Sequence, residues 1–332
     1  MSARAAAALA HSNIAVSKYW GKRSYEGNYP ATPSLSITLD ALTTRTRVTF
    51  DSSLRADRFT LDGQVQTGMA HERVCTLLRR VRAASRNDAF ADVVSRNDFP
   101  SAAGLASSAS GFAALALAAV SALGLGWEIE RVSDLARQSS ASAARSLYGG
   151  FVELLEGPPG ATRDVLAAHT VAPKDHVEWR LVVAVAGGGS KAIGSTRGMN
   201  ETCQVSPYYA AWLDLAPRLH KELCVALAAR DFESFGASAE RSALAMHASA
   251  IAAGIVYWNG VTLDALAAVR QLRAQGIGAF ATIDAGPHVK VLCRERDAVA
   301  VAAGLRAVPG VTRVIEARAA EGAQVIPIEE TS

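Results

Sequence analysis

The chain has 332 residues, half of them hydrophobic and 20% charged, and its 34 Lys and Arg against 31 Asp and Glu give a formal charge of +3. That balance excludes a disordered, tail-like chain and supplies no basic surplus for nucleic acid, while the length divides into roughly two domains. Apolar stretches are broken by Gly, Ser and Arg before the roughly 20 residues a spanning helix needs, and residues 1–15 lack the order of a secretory signal, so a globular cytoplasmic protein is expected.

After an Ala-rich start, 34–39 and 45–50 read as short strands joined by a turn near 40–44. Val74, Leu77, Leu78 and Val81 fall on one face of a helix over 69–84, whose Arg79, Arg80, Arg82 and Arg86 read as a solvated face. Residues 105–123 form a helix apolar on most sides, and 129–147 a second one ending before Gly149 and Gly150. Strands follow at 151–155 and 181–185, then helices at 203–230, 232–254 and 261–275. The end alternates: strands 279–283 and 289–293, helix 296–307, strand 311–316 and a last strand at 324–328. This is an α+β chain, divided at the glycines after 185 into 1–185 and 186–332.

Four cysteines, Cys75, Cys203, Cys224 and Cys293, show no CxxC or Cys/His ligand spacing in this reading, so neither a disulfide framework nor a zinc site is expected, and no residue is assigned to a metal. The densest small-residue run, Pro100 to Gly111, precedes the apolar helix. Backbone N–H groups in such a loop at a helix N-terminus suit phosphate oxygens. No Lys follows to make a P-loop, and close helix packing explains the same composition. Ser142, Arg145 and Ser146 share a helix face, where Arg145 can fork onto a carboxylate or phosphate or simply face solvent. Lys18, Tyr19, Lys22 and Arg23 cluster around Gly21, as phosphate-neutralising charge or as a basic turn. Asp284, after an apolar strand and before Gly286-Pro287, either caps the turn or serves as a catalytic base.

The segments NIAVSKYWGKR, PATPSLSITL, FPSAAGLASSASGFAAL, SASAARSLYGGFVE, STRGMNETCQVSP, MHA and TIDAGP run in order from residue 13 to 287. In combination they resemble the diphosphomevalonate decarboxylase family of the GHMP kinase superfamily. The resemblance implies a GHMP kinase fold with an active cleft between two domains. It implies a decarboxylating lyase of the mevalonate pathway of isoprenoid biosynthesis that uses ATP and Mg²⁺ to phosphorylate the 3-hydroxyl of (R)-5-diphosphomevalonate, giving isopentenyl diphosphate, ADP, phosphate and CO2. By that resemblance Asp284 orients or deprotonates the hydroxyl, Arg145 grips the carboxylate and Lys18 sits beside them. Tyr19, Lys22, Ser140, Ser142 and Ser195 face the substrate, and Gly104, Leu105, Ala106, Ser107, Ser108, Ala109 and Gly111 hold the ATP phosphates. A homodimer is implied as well. The chain departs from the family pattern at Ala141, Leu244 and His288, and at Thr196, where an Arg is common and Arg197 is adjacent. These departures keep a monophosphomevalonate decarboxylase as a rival; a related kinase on the same scaffold is the other, and retention of Lys18, Arg145 and Asp284 favours decarboxylation over it.

Overall fold

The computed structural model describes residues 4–99, 107–162, 164–187 and 193–331. The first half opens with β1 (Arg4–Ser17) and β2 (Ser34–Asp51), then β3 (Arg58–Leu61), β4 (Gln64–Val65), α1 (Gly68–Ser85) and β5 (Phe90–Asn97). It continues through α2 (Ser107–Ala122), α3 (Ile129–Ser139), a 3-10 turn (Ala141–Leu147), β6 (Phe151–Leu154) and β7 (His169–Ala172). The second half holds β8 (Trp179–Ala186), α4 (Ser195–Val205), α5 (Tyr209–Ala228), α6 (Phe232–Ala252) and α7 (Gly260–Ala274). It closes with β9 (Ala279–Ile283), β10 (Val289–Arg294), α8 (Ala298–Arg306), β11 (Val311–Ala317) and β12 (Gln324–Ile326).

One sheet runs β12-β1-β2-β5-β3-β4 with β6 and β7 branching from β2, and the other runs β11-β8-β10-β9. Helices α1 to α3 cover the first sheet around a core that includes Phe50, Leu77, Val93 and Phe112. The first sheet meets α5, α6 and the second sheet through Leu35, Phe151, Leu223, Phe235 and Phe280. Helices α7 and α8 close the far face of the second sheet with Val269, Val291 and Leu305. The chain thus changes sheets between β7 and β8, ahead of the expected division at 185/186. The reason is that β8 pairs along its length with β10 and β11, while β12 returns to β1 in the first sheet.

Several elements differ from expectation. The two strands proposed for 34–50 are one strand, in which residues 39–42 leave the register with β1 and Leu39 and Asp40 take partners elsewhere. Leu39 bridges to Ala319, and Asp40 exchanges bonds with Arg318. The helix expected over 129–147 breaks at Ser140, which is extended (φ −154°, ψ 116°), where consecutive serines are poor at sustaining a helix. The helix expected at 203–230 is two helices, since Pro207 disfavours helical geometry at Ser206. On α1, Val74, Leu77, Leu78 and Val81 are buried as their spacing requires. Arg82 is not solvated: it makes a two-pronged pair with the Asp57 carboxylate at 2.6 and 2.9 Å.

Candidate active site

Lys18 follows directly on β1 and lies at the junction of the two halves, only 2% exposed. Its Nζ donates to the Ala15 carbonyl at 2.7 Å and to Asp284 Oδ1 at 2.6 Å, and its backbone N–H donates to Ser242 Oγ on α6 at 2.9 Å. Asp284 stands at the end of β9. The second Asp284 oxygen is 3.1 Å from Nζ of Lys290, a fully buried lysine on β10. Burial alone would raise the Asp284 carboxyl, but Lys18 and Lys290 together hold it well below the usual carboxylate range. Burial pushes Lys18 down to about 8 even with Asp284 opposing it. The Asp284 side chain is 26% exposed, although its Oδ2 is buried beside Lys290.

Arg145 is carried inward by the 3-10 turn that replaces the expected helix, and it is 2% exposed. Its partners are neutral. Nη1 donates to Ser34 Oγ at 2.7 Å, and Nε to Ser36 Oγ at 3.0 Å and to Asn13 Oδ1 at 3.4 Å. Asn13 in turn donates to the Ser142 carbonyl and to Ser146 Oγ, which fixes the turn against β1. Burial lowers the Arg145 pKa to about 10. Among the described residues no carboxylate lies within ion-pair distance of this guanidinium. A buried cation held only by hydroxyls and an amide is suited to receive an anion.

The loop after Lys18 turns at Gly21, whose φ of +117° and whose approach to Tyr209 Oη, 2.2 Å from where a Cβ would stand, both require glycine. This turn brings Lys22 Nζ to Asn28 Oδ1 at 2.7 Å and, across the cleft, to Thr196 Oγ1 on α4 at 3.2 Å. Ser195 opens the same helix turn. Burial and then the nearby Arg73 charge lower Lys22 to about 8. Arg73 Nη2 donates to the Ser139 carbonyl at 2.8 Å, and Ser140 Oγ lies 3.2 Å from Ser142 Oγ. Tyr19 is half-buried, and its hydroxyl has no hydrogen-bond partner among the described residues. Arg197, adjacent to Thr196, turns to solvent and pairs with Glu201, so it does not stand in for the cation expected at 196.

At the mouth of α2, Ser107 is half-buried and Ser108 exposed, and the first turn holds no acidic residue. Ser110 is tied to Ser12 and Thr44 beneath it. Ala109 is fully buried, and since its methyl carries no donor, only its backbone N–H could meet a phosphate. Gly104, Leu105 and Ala106 lie outside the described residues. Two buried histidines flank the centre and are neutral. Burial, with Lys18 adding to it, takes His247 to about 3, and burial followed by Lys290 takes His288 to about 4. His288 Nδ1 accepts from the Ala186 N–H at 3.1 Å, so the residue at the variant position ties β8 to the DAGP turn.

Comparison with known proteins follows the same division. Residues 10–165 match the diphosphomevalonate decarboxylase-like N-terminal domain, and 181–330 the mevalonate 5-diphosphate decarboxylase C-terminal domain. The chain is 35% identical to diphosphomevalonate decarboxylase mvd1 of Aspergillus fumigatus over 90% of its own length and 79% of that protein. The chain belongs to the diphosphomevalonate decarboxylase family. The human diphosphomevalonate decarboxylase is also 35% identical, over 84% of this chain and 74% of that protein. Two solved decarboxylase structures, from Staphylococcus aureus and Enterococcus faecalis, superpose with TM-scores of 0.91 and 0.90 at 33% and 36% identity; each comparison covers 98% of this chain and 99% of the other. The α+β, two-domain GHMP kinase fold expected from the family resemblance is the fold observed.

Sequence reasoning passed over four contributors: Lys290, Ser242, the Ser34/Ser36 pair and Arg73. Lys290 had a signal, because a lysine between Val289 and Val291 in an otherwise apolar strand has to be paired or functional. Ser34 and Ser36 lie within the PATPSLSITL segment, but neither they nor Ser242 and Arg73 show their role locally, since only the tertiary fold brings β2, α1 and α6 to the cleft.

Proposed function

We propose that this chain is an ATP-dependent diphosphomevalonate decarboxylase that phosphorylates the 3-hydroxyl of (R)-5-diphosphomevalonate and yields isopentenyl diphosphate, ADP, phosphate and CO2. The observation that carries the reading is a buried Arg145 with no carboxylate at ion-pair distance among the described residues, beside a carboxylate clamped by two lysines. A related structure, of MDDEF in complex with MVAPP, AMPPCP and magnesium, is 37% identical with a TM-score of 0.91.

Asp284, whose side chain is partly exposed, accepts the hydrogen bond of the 3-hydroxyl. A carboxylate held this far below its ordinary pKa is a weak base, which suits phosphoryl transfer through a loose transition state. The hydroxyl proton becomes acidic only as the new O–P bond forms, and Asp284 takes it then. Lys18 and Lys290 keep Asp284 ionised and aimed. When the phosphorylated oxygen leaves C3 with its bonding pair, the pair of the breaking C–C bond to the carboxylate becomes the new C=C bond, and CO2 departs. Arg145 fixes that carboxylate in line with the leaving group. Its contribution is orientation, because the negative charge it holds is lost in the step. Tyr19, Lys22, Ser140, Ser142 and Ser195 line the diphosphate end. Ser107, Ser108 and the N–H groups at the start of α2, within the Gly104–Gly111 run, face the ATP phosphates, where the helix dipole favours anions. Bound together with ATP, Mg²⁺ would supply charge neutralisation at the phosphate oxygens. Within this reading the only ligands are small molecules, the chain forms a homodimer, and its setting is the cytoplasm; among the described residues no helix is long and apolar enough to cross a membrane.

One observation favours a monophosphate substrate instead: Thr196 and the outward Arg197 leave the far end of the cleft with Lys22 and Arg73 as its cations. Product analysis with ATP, Mg²⁺ and either 5-diphosphomevalonate or 5-phosphomevalonate decides. Isopentenyl diphosphate with equal ADP and CO2 from the first substrate is the expected result. Isopentenyl phosphate from the second alone would replace the reading, and ADP without CO2 would make the protein a kinase.

The lysines set a pH limit. Lys18 and Lys22 carry charge below about 8 and lose it above, so kcat/KM should fall on the alkaline side near that value. The decline should be steeper than one ionisation allows. In Lys22→Gln it should become a single-proton limb, and an unchanged slope would remove Lys22 from substrate binding.

A further inference from the structure

Away from the cleft, β6 pairs with β2 so that Glu153 stands opposite Leu35, between the Ser34 and Ser36 positions. Side chains alternate across a sheet, and Ser34 and Ser36 face Arg145, so Glu153 projects from the opposite face, with Leu35, toward α5. On α5, His220 and Cys224 are one helical turn apart and share the facing side. Glu153 Oε1 lies 2.5 Å from His220 Nε2 and 3.8 Å from Cys224 Sγ, and Sγ lies 3.6 Å from Nε2.

We propose that Glu153, His220 and Cys224 form a zinc site that ties the first sheet to the helical layer of the second half. Zinc bonds of about 2.0 Å to oxygen and nitrogen and 2.3 Å to sulfur set tetrahedral ligand atoms roughly 3.3–3.7 Å apart. Both sulfur distances are already at or near that spacing. Only the Glu153–His220 contact has to open, by about 0.8 Å, as the metal takes the place of the hydrogen between them. Thiolate with imidazole selects zinc over the oxygen-seeking Mg²⁺. The Cys224 thiol releases its proton to solvent, water fills the fourth position, and no electron is transferred. His169 Nε2 holds Glu153 Oε2 at 2.8 Å and is 52% exposed, placing it as the outer partner that aims the carboxylate from the solvent side.

The spacing His-x-x-x-Cys occurs twice, at 71/75 and 220/224, contrary to the expectation that the chain has no such pair. At the first, the nearby carboxylate of Asp57 is occupied by Arg82 and by the Ala91 N–H. Among the described residues only Glu153, His220 and Cys224 bring three ligand atoms within 4.8 Å of one another.

Cobalt titration of the full chain without nucleotide, with excess Mg²⁺ present to compete for oxygen-only sites, tests the proposal. One equivalent should give a thiolate-to-cobalt charge-transfer band and intense visible bands of a four-coordinate ion, both erased by one equivalent of Zn²⁺. Cys224→Ser and His220→Gln should lose the charge-transfer band, Cys75→Ser should keep it, and His169→Ala should keep it with affinity weakened about 10- to 100-fold. Zn²⁺ should raise Tm in wild type and not in Cys224→Ser. Absence of the band in folded wild-type protein, its survival in Cys224→Ser, or its loss in Cys75→Ser would overturn the assignment. Should His220→Gln fail to fold, Cys224→Ser, which preserves the shape of the side chain, decides alone.

Discussion

Asp284→Asn should lower the rate of ADP formation by about 10²- to 10⁴-fold while leaving ATP affinity near wild type. The amide retains an acceptor for one lysine but can neither receive the hydroxyl proton nor balance two ammonium groups. Lys18 and Lys290 would then face each other across a neutral side chain, and breaking a buried ion pair costs about 3–5 kcal/mol. The cost here belongs near the lower end, because the Asp284 side chain is a quarter exposed. Stability and chemistry are separable. Adding Lys290→Met to Asp284→Asn removes one of the repelling charges, so Tm should recover while turnover stays low. ADP production by Asp284→Asn at close to the wild-type rate would remove Asp284 from phosphoryl transfer. Recovery of turnover in the double variant would make its role purely structural.

Local pattern carried much of the fold. The four apolar residues of α1 and the alternation of strands and helices after 279 are legible because one face of each element has to be buried. What sequence could not show is set by distant partners. Residues 39–42 stay in β2 because Arg318 and Ala319 meet them from nearly 280 positions away. The serines permit the break at Ser140, but where Arg145 goes after it depends on Ser34, Ser36 and Asn13, which hold the guanidinium inward. The site divides in the same way. Lys18, Arg145 and Asp284 were readable from motifs, whereas the charge state of the centre depends on Lys290, and the neutral cradle around Arg145 depends on two serines of β2. Ala109 shows the opposite case, a motif residue whose side chain belongs to the interior.

That cradle makes Arg145→Met the more informative arginine variant. Replacing a buried charge that lacks a carboxylate partner with an apolar side chain of similar length removes a desolvation cost, so the ligand-free protein should unfold at an equal or higher temperature. Ser34 and Ser36 keep the β6 carbonyls of Leu154 and Val152 as alternative acceptors at 3.4 and 3.5 Å. Activity should move the other way. Loss of one partner of a buried charge pair with the substrate corresponds to a fall in kcat/KM of about 30- to 4,000-fold. The rise in Tm that substrate gives the wild type should disappear as well. Arg145→Lys should also lose activity, since an ammonium cannot reproduce the two-pronged grip on a carboxylate. A large drop in the Tm of ligand-free Arg145→Met would mean that the arginine supports the fold rather than awaiting an anion. Near-normal turnover with weakened ATP affinity would move it to the nucleotide.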